Sequence, residues 1–162
     1  MPDIHPRGSA AVTPASDVKV RLLDDHRALE ALLSNLESAL ECASTAELCE
    51  QWTRFELNLR DHLDTEERCL FPLVAASNRS EVEALRAEHQ CIRKALSELG
   101  VALDLHTLRK ASVDEFIVYL QRHALREENT LYRWVDNDVA AHRGLRAMFE
   151  RRADGGVLPR NG

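Results

Sequence analysis

The chain has 162 residues, a length that fits one domain with a sizeable core. Its formal net charge of -6, with both signs interspersed, argues against a nucleic-acid surface, and no apolar run approaches the roughly 20 residues of a membrane span. Gly and Pro sit mostly near the ends, aromatics are only 5%, and Leu, Ala, Glu and Arg dominate, which is the composition of an all-α protein.

Residues 1–15 hold three prolines and no apolar period, so they read as a disordered tail that includes His5. The early Arg is not followed by an apolar signal core, and the expected location is the cytosol. Ser16 or Asp17 caps a first helix in which Val20, Leu23, Leu29, Leu32, Leu33, Leu36 and Leu40 recur at helical spacing, with His26 among them. Ser44 with Glu47 three residues later is a capping box for a second helix, whose inward stripe is Trp52, Phe55, Leu59, His62, Glu66, Leu70 and Leu73. Pro72 predicts a kink or an irregular last turn ending near Ser77.

Ser80 with Glu83 reads as the box of a third helix, carrying Val82, Leu85, His89, Ile92, Leu96 and Leu99 and ending at Gly100. Residues 101–111 read as a loop or short helix. Ser112 with Glu115 opens a fourth helix with Phe116, Tyr119, Leu120, His123, Glu127, Leu131, Trp134 and Val135 inward. The bundle is expected over 16–142, and 143–162 as a short helix and a flexible tail. Cys42, Cys49, Cys69 and Cys91 lie 7, 20 and 22 residues apart, which is no zinc spacing, and they read as reduced thiols. Cys69, three residues after Glu66, lies near that residue's face and is open to oxidation by chemistry there.

The helices carry a repeat. His62-Leu-Asp-Thr-Glu66-Glu67 recurs as His123-Ala-Leu-Arg-Glu127-Glu128, and the residues after His26 align with those after His89 through a shared Leu-Ser-x-Leu ending. A His-x-x-x-Glu spacing places both side chains on one helical face. From His26 to Cys42 the helix descends about 24 Å, and from Ser44 to His62 it climbs back about 27 Å, at the helical rise of about 1.5 Å per residue. The second hairpin balances in the same way. Four histidines and two glutamates therefore meet in one layer of an antiparallel up-down four-helix bundle built from two helical hairpins.

Burying such a layer without a cation costs several kcal/mol of desolvation, so a metal site at His26, His62, Glu66, His89, His123 and Glu127 is the preferred reading, and a His/Glu hydrogen-bond network the alternative. The set is too large for one tetrahedral zinc. Two ions bridged by Glu66 and Glu127, each with two histidines, suit iron first and manganese second, with positions open for a small ligand. The Glu-x-x-His spacing of ferritin-like proteins does not occur. Glu67 and Glu128 read as solvated charges or as partners of the ligands. Tyr119, one turn before His123, reads as a core tyrosine or a further donor. His106 and His142 read as surface residues, and Arg27, Arg93 and Arg126 as ion-pair partners.

In these six positions and their spacing, over about Val18 to Asp136, the chain resembles the hemerythrin-like family in its HHE cation-binding branch. The resemblance implies an oxo- or hydroxo-bridged pair of non-haem irons in a four-helix bundle. Oxygen-carrying members have a second histidine four residues after the one on the third helix, where this chain has Arg93, which argues against reversible oxygen carriage. Iron-sulfur repair members carry a cysteine-bearing N-terminal domain that the short tail does not resemble. The expected ligand is a small diatomic or peroxide species, namely dioxygen, nitric oxide or hydrogen peroxide, with no nucleic-acid or membrane partner. A sensing module, whose metal occupancy alters stability and is read by a partner, is the alternative function.

Overall fold

The computed structural model describes residues 14–42 and 44–136, so the expected helix over 145–152, His5 and His142 lie outside the described residues. In chain order the elements are α1 (Pro14–Cys42), α2 (Thr45–Thr65), a π-helical turn (Glu66–Leu70), α3 (Phe71–Val74), α4 (Arg79–Asp104), α5 (Lys110–Asn129) and α6 (Leu131–Asp136). α1 packs against α2, α5 and α6, and α4 packs against α2, α3 and α5. The ring α1–α2–α4–α5 is an antiparallel up-down bundle, as short turns between consecutive helices require. No strand occurs among the described residues, and none of their helices is long and apolar enough to cross a membrane.

The helix starts follow local chemistry, with corrections. Ser44 forms the expected capping box, its Oγ accepting from the Glu47 N–H at 3.4 Å while Glu47 Oε2 accepts from the Ser44 N–H at 2.8 Å. The other two boxes do not form. α4 starts at Arg79 and α5 at Lys110, where Arg79–Glu83 and Lys110–Asp114 pairs, each 2.8 Å, support one more stretch of helix upstream. α1 likewise begins at Pro14 rather than at Ser16 or Asp17, since the fixed φ of proline and its missing N–H suit a first turn.

Gly100 does not end its helix. α4 continues to Asp104, and the stop is a Schellman turn in which the His106 N–H bonds Leu103 O at 2.9 Å and the Thr107 N–H bonds Ala102 O at 2.8 Å. His106, exposed, takes the left-handed φ of 56° that glycine usually supplies. Gly100 instead marks a close approach of α4 to α2, because a Cβ there would stand 3.2 Å from Trp52 Nε1. Gly100→Val is expected to overpack that contact and to lower stability by about 1–3 kcal/mol, read as an earlier urea midpoint with altered Trp52 fluorescence.

Pro72 has no N–H to give to Arg68 O, and its ring excludes that carbonyl, so the chain widens into the π-helical turn just before it. The Phe71 N–H reaches back five residues to Glu66 O. One extra residue in the turn shifts the register beyond it. Phe71 and Val74 face inward, while Leu73, expected inward, is exposed.

The core forms two apolar clusters. Leu22, Leu70, Phe71, Val74, Val82, Leu85, Leu131, Tyr132 and Val135 make one, and a larger one includes Leu33, Leu36, Trp52, Phe55, Leu59, Ile92, Leu96 and Phe116. On α1 and α4 the histidine lies between residues of the first cluster and residues of the second, and after His62 and His123 the first-cluster residues follow on the π-helical turn and on α6. The polar layer thus has apolar residues on both sides along the bundle, and each buried Leu or Phe beside it contributes about 1.5–3 kcal/mol that offsets the burial of charge.

Candidate metal centre

α1 supplies His26, the end of α2 His62, the π-turn Glu66, α4 His89, and α5 both His123 and Glu127. All six are buried, with Glu66, His89 and Glu127 at 0% exposure. They form two groups, His26/His62/Glu66/Glu127 and Glu66/His89/His123/Glu127, and within each group one ligand atom per residue lies within 4.8 Å of the others. Both carboxylates belong to both groups. The histidines pair accordingly, His26 with His62 and His89 with His123, each with ring centroids 4.9 Å apart and edge to face.

The Nε2 atoms point inward. Glu127 Oε1 lies 3.1 Å from His89 Nε2 and 3.0 Å from His123 Nε2, Glu127 Oε2 lies 3.4 Å from His26 Nε2, and Glu66 Oε2 lies 3.6 Å from His62 Nε2 and 3.5 Å from His89 Nε2. Several contacts are close without being well-formed bonds. Glu66 Oε2, Glu127 Oε2 and His123 Nε2 are fully buried and have no hydrogen-bond partner. Buried lone pairs converging on shared points, from nitrogen and carboxylate donors, are what a cation fits.

The Nδ1 atoms point outward, three of them to carboxylates. Glu67 Oε1 accepts from His89 at 3.0 Å, and Glu128 Oε1 from His26 at 3.2 Å. The second glutamate of each His-x-x-x-Glu-Glu run thus braces a histidine of the other hairpin. Glu88 Oε2 braces His123 at 2.8 Å, a partner not anticipated from spacing. In the repeat, the counterpart of Glu88 is Asp25, which lines a small cavity with His62. Such partners fix the tautomer and leave the Nε2 lone pair facing in. Arg93 donates to Glu67 at 2.6 Å and to Asp64 at 2.8 Å, and Arg126 holds Glu81 and Glu88. Arg27 pairs locally, with Asp24 at 2.8 Å.

Charge in the layer is unequal. Burial, and then the Glu127 charge, raise Glu66 well above the usual carboxyl value of 4.5. Burial also pushes Glu127 upward, but the imidazoles of His123, His26 and His89 facing it outweigh that and hold the carboxyl well below 4.5. Burial pushes His62 down to about 3. It works against His26 and His123 too, yet the bonds and charge of Glu127, aided by Glu128 and Glu88, leave both raised above 6.5. A raised carboxyl beside a depressed one is the pattern of two like charges sharing one buried site.

Tyr132 was not among the expected site residues, yet its hydroxyl lies 2.8 Å from His26 Nε2 and donates to Glu66 Oε1 at 2.7 Å. It is fully buried, and burial raises its phenol well above the ordinary value. Tyr119, the tyrosine singled out by spacing, is instead half-buried against Cys91. Cys69 is half-buried against the smaller apolar cluster.

Among known proteins, the model of the family described as Hemerythrin HHE cation binding domain matches residues 19–135. No curated protein and no solved structure matches.

Proposed function

The chain belongs to the hemerythrin HHE cation-binding family, and from that premise we propose that it is a non-haem di-iron protein that binds or reacts with dioxygen, nitric oxide or hydrogen peroxide. The observation that carries this reading is the sharing of both buried carboxylates by two four-residue donor groups. His26 and His62 would hold one cation, His89 and His123 the other, and Glu66 and Glu127 both. Iron, once bound, supplies one-electron redox chemistry and coordination positions that a small molecule can fill. Glu67, Glu88 and Glu128 keep the imidazole protons on the outward nitrogens.

The space beside the layer is consistent with a small ligand. A cavity of about 50 Å³ is lined by His26, His62 and His123 on one side and by apolar residues including Leu33, Phe55 and Ala124 on the other. One water needs about 10–15 Å³ of such space, so there is room beside the layer for a diatomic or peroxide molecule. Arg93 occupies the position of the second histidine of oxygen carriers and is turned to Asp64 and Glu67, which favours reaction over reversible carriage.

The test is to load the metal-free protein with iron(II) anaerobically, confirm about two irons per chain, and mix it with each of the three ligands in a stopped-flow spectrometer. A spectral change with at least one supports the reading. Two irons and no change with any would leave a metal-occupancy module in its place. Ala124→Leu is expected to fill the cavity, slowing ligand binding about tenfold or more while the iron content stays at two.

A further inference from the structure

We propose that Tyr132 is a seventh metal ligand, its phenolate oxygen joining His26 and Glu66 on one of the two cations. The inference rests on the metal-centre reading above and names a donor outside the family's His/Glu set. Its ground is a count of protons and lone pairs. Glu128, at 3.2 Å from His26 Nδ1, places the imidazole proton on that nitrogen, so His26 Nε2 offers a lone pair. Tyr132 Oη lies between this nitrogen, at 2.8 Å, and Glu66 Oε1, at 2.7 Å. The hydroxyl has one proton for two acceptors, and its own oxygen carries lone pairs as well. Three donor atoms within bonding reach of one another, all on buried side chains, form half of a coordination shell.

The backbone is arranged to bring this side chain in. Tyr132 follows Glu127 by five residues, which on an unbroken helix would turn it about 140° away from the site. The helix is broken at Thr130, with φ of -118° and ψ of -80°, and Thr130 Oγ1 caps Arg126 O at 2.7 Å. The restart as α6 swings Tyr132 back into the layer, where its ring lies tilted against His26 at 5.1 Å. On ligation the O–H bond breaks, the proton leaves to solvent, and an oxygen–metal bond forms with no change of oxidation state. The cation at His26 and His62 then has five protein donors against four at His89 and His123.

A phenolate on iron(III) gives a visible charge-transfer band and resonance-enhanced ring vibrations that histidine and carboxylate donors do not. The experiment loads the full chain with iron(II) and oxidises it in air. It then records iron content, visible absorption and resonance Raman spectra for the parent protein, Tyr132→Phe and Tyr119→Phe. The chain has only these two tyrosines. The expected result is the band and the ring modes in the parent and in Tyr119→Phe, and their loss in Tyr132→Phe with its iron largely retained. Should Tyr132→Phe fail to fold, a band in Tyr119→Phe whose ring modes shift on growth with ring-deuterated tyrosine assigns the ligand alone. Iron bound to the parent without these features overturns the tyrosine assignment and leaves the di-iron reading intact, as does a band that survives in Tyr132→Phe. No iron in the parent overturns both.

Discussion

Glu127→Gln is expected to abolish binding of the metal pair, with iron content after desalting falling from about two per chain to less than one. Glu127 has contacts to His26, His89 and His123 and is the carboxylate held ionised, so its loss removes a donor from both groups of four and the negative charge that offsets the cations. Replacing an outer brace such as Glu88 costs about 10–100-fold in metal affinity, and losing a shared donor costs more than that. The metal-free protein suffers as well. His26 and His123 carry raised affinities for a proton chiefly because Glu127 faces them, and breaking a buried charge pair costs about 3–5 kcal/mol. Metal analysis and urea unfolding of the metal-free variant read the two effects separately. Two irons bound at near-parent affinity would sink the assignment of Glu127 as a shared ligand.

How much of this centre was legible in the sequence depends on how local each relationship is. His62 with Glu66 and His123 with Glu127 share one helical face by spacing alone, and the repeat brings His26 and His89 to the same level, so the layer could be read without the fold. The roles of Glu67 and Glu128 remained open, because each reaches a histidine on another helix, 22 and 102 residues away in the chain. Glu88 was missed for the same reason. Tyr132 was missed because its direction depends on the break at Thr130, which no periodicity announces. Gly100 answers to Trp52 on α2 rather than to a helix end, and the two unformed capping boxes give way to i,i+4 ion pairs that start each helix earlier. The register shift after Glu66 belongs between these cases, since Pro72 signals an irregularity but not the extra residue that turns Leu73 outward.

The metal-free and iron-loaded proteins are expected to respond to pH in opposite directions between pH 6 and 8. In the metal-free protein His26, His123 and Glu66 all bind a proton more tightly when folded than their ordinary values of 6.5, 6.5 and 4.5. The stability they contribute is fully present below those ordinary values and is lost as pH rises through the raised ones, at up to about 1.4 kcal/mol per pH unit for each group. His62, pushed down to about 3, has the reverse sign and costs stability as pH falls below 6.5. Between about pH 6.5 and 4.5 its cost is balanced by Glu66, which keeps its proton folded while the unfolded carboxyl gives it up. Below 4.5 that compensation ends, and Glu127, depressed in the fold, adds a second loss in the same direction. The metal-free urea midpoint is therefore expected to be highest near pH 5–6, to decline toward pH 8 and to fall steeply below pH 4.5. Iron competes with protons for the same imidazoles and carboxylates, so its stabilisation grows as pH rises. The gain in midpoint on adding iron is expected to be several-fold larger at pH 8 than at pH 5. A metal-free midpoint that keeps rising from pH 6 to 8 would contradict the assignment of shared protons to the layer, and an equal gain at both pH values would mean that iron binds elsewhere.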